Sequence, residues 1–205
     1  MKIEKEDTTN ATELNLFMKV QSIFHTPTCG RVNYFLNLLY MAGFHSKTFI
    51  VYDDYMTPKY AWDNIKHLIP NNKVIWEPFY GDGKSGEYLT ELGFEVIHEP
   101  VDFFENDLGD IIVSNPPFSK CVKILEQLHH LDKPFILIMP TSKIFTNYFR
   151  KHFNTPDLQI VVPRNRIHFY KKINGISQQT NKCNFDCFYY CYKLDLDRGI
   201  TFLGF

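Results

Sequence analysis

Three absences narrow the reading of this sequence. Its five cysteines are an odd number with no CxxC pair, and no His or Cys stands at zinc-ligand spacing. Neither a disulfide framework nor a structural metal site is expected, and a reducing compartment fits better. The longest apolar run, between Pro134 and Pro140, is strand-sized, far short of the roughly 18–20 residues of a membrane span. Residues Met1 to Asn10 lack the apolar centre of a signal peptide. Neither charge dominates: 22 Lys+Arg stand against 23 Asp+Glu, a net of −1. That excludes a globally basic nucleic-acid coat and an acidic disordered chain, but not a local basic face. The 205 residues allow one domain plus an appendage, with a core large enough to fold without staples.

Residues 1–50 read as a helical appendage, and 51–205 as the main domain. Leu14, Phe17, Met18, Ile23 and Phe24 form an imperfect helical stripe, and Val32 to Phe44 is a second apolar stretch stopped near Gly43. Two short helices around a turn cap a core or read DNA. From Thr57 the pattern becomes alternating helices and strands. Thr57 suits an N-cap before Pro58, with helix to about Ile69. Strands are expected at Val74–Glu77, Glu95–His98, Asp110–Ser114 and Phe135–Met139, with helices at Ser85–Leu92, Lys120–Leu131 and Lys143–Phe153. Apolar strands alternating with helices argue for a parallel sheet covered on both faces. Leu158–Val162, Arg166–Tyr170 and Asn184–Lys193 are strand-like without a long helix between them. An antiparallel hairpin at one sheet edge fits them, with the polar run Asn174 to Lys182 as its loop. Cys183, Cys187 and Cys191 fall in this last segment; Cys187 and Cys191 share one strand face, with Cys183 near its start.

Gly81-Asp82-Gly83-Lys84-Ser85-Gly86 is a G-x-G-x-x-G that follows a strand and opens a helix, where backbone can approach a ligand at the strand's carboxyl end. A Walker A loop needs a glycine at position 78, which is Pro78. A diphosphate would meet Glu77 and Asp82, and residues 77–110 hold ten acids against Lys84. A cationic ligand without phosphate suits this loop better, and S-adenosylmethionine carries a sulfonium, an ammonium and a ribose diol. Glu99, at the end of the next strand, can accept both ribose hydroxyls. Asp102 can take an adenine amino group, with Phe103 or Phe104 packing on the ring.

The apolar strand Ile111–Val113 runs into Ser114-Asn115-Pro116-Pro117-Phe118. Two prolines fix φ and remove two backbone donors, so nearby carbonyls face outward as acceptors. The Asn115 side-chain oxygen and the Pro116 carbonyl can then accept from one exocyclic amine, stabilising the ammonium that forms as a methyl arrives. Phe118 offers a stacking face.

Over Tyr55 to Lys193 the chain resembles the S-adenosylmethionine-dependent DNA N6-adenine methyltransferases of the compact phage and viral kind. The family's Asp/Asn-Pro-Pro-Tyr/Phe motif is matched by Asn115, Pro116, Pro117 and Phe118, which the resemblance implies are catalytic. Its glycine motif is matched by Glu77, Pro78, Phe79, Tyr80, Gly81, Asp82 and Gly83. Its upstream element, which helps hold the donor's methionine part, is matched by Tyr55, Met56, Thr57 and Pro58. The order of the three resembles the gamma arrangement. The resemblance implies a Rossmann-like class I methyltransferase fold with a mostly parallel seven-stranded sheet, donor contacts from these residues, and an intracellular site in cytoplasm or, for a virus, host nucleus. Asn in place of the commoner Asp also occurs in enzymes that methylate RNA bases or a protein glutamine, and a non-catalytic nucleic-acid-binding subunit is a further reading. Only 87 residues follow Phe118, too few for the fold's remaining strands and a separate recognition domain. Specificity would come from the N-terminal helices, loops, a homodimer or a second subunit.

Between Pro140 and Lys172 stand Lys143, Arg150, Lys151, Arg164, Arg166, Lys171 and Lys172 against Asp157 alone, a local charge of +6. Phe145, Tyr148, Phe149, His168, Phe169 and Tyr170 interleave with them. This mixture suits a phosphate-tracking surface with stacking side chains, so nucleic acid, DNA foremost, is the expected partner. Methyl transfer to a base needs the adenine unpaired or extruded from duplex.

Overall fold

The computed structural model describes residues 55–173, 176–179, 183 and 185–204. The appendage expected over residues 1–50 lies outside them. Among the described residues ten strands and four α-helices follow one another: β1 (Tyr55–Met56), α1 (Lys59–Asp63), β2 (Ile75–Trp76), α2 (Lys84–Glu91), β3 (Val96–Ile97), β4 (Ile111–Ser114), α3 (Cys121–Leu131), β5 (Phe135–Pro140), α4 (Asn147–Phe153), β6 (Leu158–Val162), β7 (Tyr170–Ile173), β8 (Ile176–Gln179), β9 (Cys187–Tyr192) and β10 (Ile200–Phe202). Among the described residues no helix is long and apolar enough to cross a membrane.

Seven strands form one sheet in the order β10-β6-β9-β5-β4-β2-β3. All its neighbours pair in parallel except β9, which runs antiparallel to both β5 and β6. Strand registers sort the side chains onto two faces. Ile75, Ile111, Val113, Ile136, Ile138, Val161, Tyr189 and Cys191 point to one face and pack with Ala61 and Trp62 of α1, Ile65 just after it, and Leu89 of α2. On the other face Phe135, Tyr190 and Tyr192 meet Phe149 and Phe153 of α4, and α3 packs on α4. Each such large apolar side chain, fully buried, contributes roughly 1.5–3 kcal/mol. The fold is therefore the expected α/β class, doubly wound and Rossmann-like, with helices on both faces.

The antiparallel strand is placed differently from the expected edge hairpin. Every residue of β9 is buried, and a strand apolar on both faces belongs between two neighbours, not at an edge. Its tyrosines use the interior well: the Tyr189 hydroxyl donates to the Ala61 carbonyl at 2.7 Å, and that of Tyr190 to the Pro140 carbonyl at 2.8 Å. The edge falls to β10, whose Ile200 is half exposed. Part of the expected loop is itself a strand: β8 pairs with β7, and β1 pairs with β7 on its other side, giving a separate three-stranded antiparallel sheet. Within Arg166–Tyr170 only Tyr170 is in a strand; Ile167 and Phe169 are buried in the core. At α1 the cap is Pro58, not Thr57, and no side chain caps the helix.

From β2 the chain passes through α2 to β3 on one side, then returns to β4 on the other side of β2. The order reverses between β2 and β4, and doubly wound folds hold ligands beyond the carboxyl ends of strands at such a point. The glycine turn follows β2 and the Asn-Pro-Pro-Phe turn follows β4. The entry to β4 is tight. Gly109 has φ +60°, and a Cβ there would lie 2.9 Å from the Val74 carbonyl and 3.0 Å from the Trp76 nitrogen. Both obstacles are backbone, so neither can swing away. Gly109→Ala is expected to destabilise the fold by about 3 kcal/mol or more, read as a lowered urea midpoint; a midpoint within error of the parent would show that the β2–β4 entry yields.

Candidate active site

The turn after β2 is shaped by glycine. Gly81 has φ +57°, and a Cβ there would press on the Met56 sulfur at 3.3 Å. Asp82 turns its carboxylate back on the chain, accepting from the Lys84 amide at 3.2 Å, so it helps open α2. Facing this turn across a cavity of about 250 Å3 is the Asn-Pro-Pro-Phe turn. The lining is Tyr55, Met56, Thr57, Glu77, Phe79, Tyr80, Gly81, Asp82, Ser85, Asn115, Pro116, Pro117 and Phe118. Three segments distant in sequence thus meet at the switch point.

Asn115 is oriented by its surroundings. Its Nδ2 donates to the Tyr55 carbonyl at 3.1 Å; a carbonyl can only accept, which fixes the amide's orientation. Oδ1 is left buried with no hydrogen-bond partner. Thr57 Oγ1 is likewise buried and unpartnered. Unsatisfied buried acceptors are uncommon in folded proteins, and with Glu77 Oε2 three of them belong to residues lining one cavity.

Glu77 follows β2 and is 1% exposed. The residues ending its neighbours β4 and following β3 close on it. Ser114 Oγ donates to its Oε1. His98 Nδ1 lies 2.6 Å from its Oε2 and 2.9 Å from its main-chain oxygen. One N–H cannot point well at both, and Oε2 accepts no bond of good geometry. Burial pushes the Glu77 carboxyl above the ordinary 4.5, and the neighbouring His98 and the Ser114 hydroxyl offset this only in part. Burial pulls His98 down, but its bond to Glu77 and the Glu77 charge outweigh that and hold it above the ordinary 6.5. Sequence reading found Glu77 and missed its two supports. The signal was their place just at or after the ends of adjacent strands.

The other expected residues are distributed as follows. Phe118 lines the cavity but is only 6% exposed, its ring edge-to-face with Phe185 at 5.4 Å, so little of its face is open for stacking. Pro58, Pro78 and Gly83 flank the lining residues without joining them. Glu99 and Asp102 are exposed and lie outside the cavity lining. Asp102 Oδ1 accepts from the Phe104 amide at 2.8 Å, closing a local turn. Phe103 is buried against Trp76 and Phe79, ring centroids 5.5 and 5.1 Å away, so it backs the cavity wall. The hydrophobic gain of burying that ring draws the segment after β3 inward and turns its acids to solvent.

Of the basic residues, Arg150 and Lys151 are exposed on α4, and Arg150 bonds Asn147 at 2.7 Å. Lys143 is half-buried over the Tyr148 ring and bonds its hydroxyl. Arg164 is exposed; Arg166 is ion-paired with Asp186 at 2.6 Å, which reduces the local charge. Lys171 pairs in register with Tyr55, its ammonium 5.6 Å from that ring, so it stands beside the cavity lining; Lys172 follows it in β7. Phe149 and Phe169, expected among stacking aromatics, are core residues.

No family model and no curated protein matches the chain. Among solved structures it is similar to a precorrin-6y C5,15-methyltransferase from Geobacter metallireducens GS-15, with a TM-score of 0.39 and 11% identity, covering 73% of this chain and 100% of that one. A likeness this slight bears no weight for function, which must rest on the cavity.

Proposed function

We propose that the chain is an S-adenosylmethionine-dependent N-methyltransferase acting on the exocyclic N6 of adenine in DNA. Asn115 carries this reading: its amide nitrogen is held by Tyr55, and its bare Oδ1 stands buried in a cavity faced by the glycine turn and Glu77. An acceptor fixed in advance is what an attacking amine needs, because it can bind the N–H and stabilise the positive charge as it develops. The residues present also fit the cationic, amino-acid half of the donor. Glu77 Oε2 and Thr57 Oγ1 are buried oxygens without bonds of good geometry, suited to an ammonium. Bound there, S-adenosylmethionine would supply an activated methyl. The chain's part is orientation: Asn115 aims the amine, while Tyr55, Phe79 and Phe118 keep water from it. No base need act before transfer. The exposed cations Arg150, Lys151 and Arg164, with Lys171 beside Tyr55, support a polyanionic substrate.

Calorimetry with S-adenosylmethionine, followed by labelled donor with DNA, RNA and protein extracts, tests the reading. Binding and label in DNA are expected. No binding at millimolar donor would overturn the enzyme assignment, and label confined to protein would overturn adenine as the target.

A further inference from the structure

We infer that His98, which is not part of the cavity lining, is a positioning residue that holds Glu77 ready for the donor's ammonium, and that Gly86 is glycine in order to seat His98. The inference rests on the donor proposed above. Three features carry it. His98 Nδ1 reaches both the carboxylate and the main-chain oxygen of Glu77, so the ring fixes backbone and side chain together. The ring is itself fixed: Tyr80 stacks on it with centroids 4.6 Å apart and planes 10° off parallel. On α2, a Cβ added to Gly86 would come within 2.3 Å of the His98 ring carbons. No side chain fits there while the ring stays in place.

The causal step is electrostatic. A carboxylate buried as deeply as Glu77 takes up a proton unless partners hold its charge. Ser114 supplies one hydrogen bond, and His98, bonded to the main-chain oxygen, sets its positive charge 2.6 Å from Oε2. Without His98 the carboxyl drifts toward its neutral form, and a neutral acid loses the charge-assisted part of its bond to an ammonium. The effect should fall on ligands that carry the amino-acid group and spare those that lack it. A purely structural role would weaken both.

Titration calorimetry with S-adenosylhomocysteine and 5′-methylthioadenosine, which has no amino-acid part, reads this difference. The parent protein should favour S-adenosylhomocysteine. His98→Ala should weaken that ligand about tenfold or more, the weight of one charge-assisted hydrogen bond, and leave methylthioadenosine within about twofold. His98→Asn, whose amide can donate to the Glu77 main-chain oxygen but carries no charge, should recover only part of the loss. Gly86→Ala should reproduce it by displacing the ring, and the Gly86→Ala/His98→Ala double variant should be no worse than either single one. An unchanged ratio of the two affinities in His98→Ala, or in Gly86→Ala if His98→Ala does not fold, overturns the inference while leaving the donor reading intact. Fully additive losses in the double variant overturn the role given to Gly86. A parent protein that binds neither ligand removes the donor reading, and the inference with it.

Discussion

Replacing Asn115 with alanine should reduce methyl transfer by about 10²–10³-fold, the usual loss when one preorganised charge-stabilising partner is removed, with donor affinity within about threefold. The side chain is pinned from one end only: Tyr55 holds Nδ2, and Oδ1 has no partner in the protein. Alanine removes the acceptor without touching Glu77, so binding and chemistry should separate. The aspartate variant is more informative. Aspartate also offers an oxygen to the amine, yet its second oxygen would lie where Nδ2 now donates, 3.1 Å from a carbonyl that cannot donate in return. Two facing acceptors repel, so Asn115→Asp should also lose activity, about tenfold or more. Single-turnover transfer of labelled methyl at saturating donor measures both. Undiminished turnover in Asn115→Ala would remove Asn115 from the chemistry. Full activity in Asn115→Asp would remove the Tyr55 carbonyl as the reason for asparagine.

Much of the framework was legible because it is written in local patterns. The apolar runs Ile111–Val113 in β4 and Phe135–Met139 in β5 announce strands covered on both faces, and Leu158–Val162 appears with the bounds read from sequence. Two turns that each follow such a strand, one rich in glycine and one in proline, come together because the strand order reverses between them. What was not legible depends on partners that no local pattern names. Residues 187–192 read correctly as strand, but only pairing along both edges puts β9 inside the sheet. The hairpin β7–β8 arises in a polar run and draws its stability from pairing with β1 as well. In the site, the acids after β3 looked apt for a ribose and an adenine. The strand is only two residues long, and burial of Phe103 behind Phe79 decides which way the chain turns. His98 and Ser114 became visible as supports of Glu77 only once β3, β2 and β4 were known to be neighbours in that order.

That same buried trio should make stability fall as pH rises. Glu77 keeps its proton to higher pH in the folded chain than in the unfolded one, since burial raises its pKa beyond what His98 and Ser114 restore. Ionising it above the ordinary 4.5 therefore disfavours the fold. His98 is also raised, through Glu77, so the stability it contributes is complete below the ordinary 6.5 and is lost as pH climbs through its folded value. In both cases the folded state binds more protons than the unfolded state, and both slopes have one sign. The limiting slope is about 1.4 kcal/mol per pH unit for each proton, and each kcal/mol moves the melting temperature of a chain this size by roughly 2–4 °C. The comparison must isolate this pair. In Glu77→Gln/His98→Asn neither position titrates, and each amide can still give or accept a hydrogen bond. Urea unfolding of the parent and the double variant between pH 5 and pH 8.5 should show the parent losing ground steadily as pH rises. A stability difference that stays constant across that range would mean that the two groups titrate as they do in the unfolded chain.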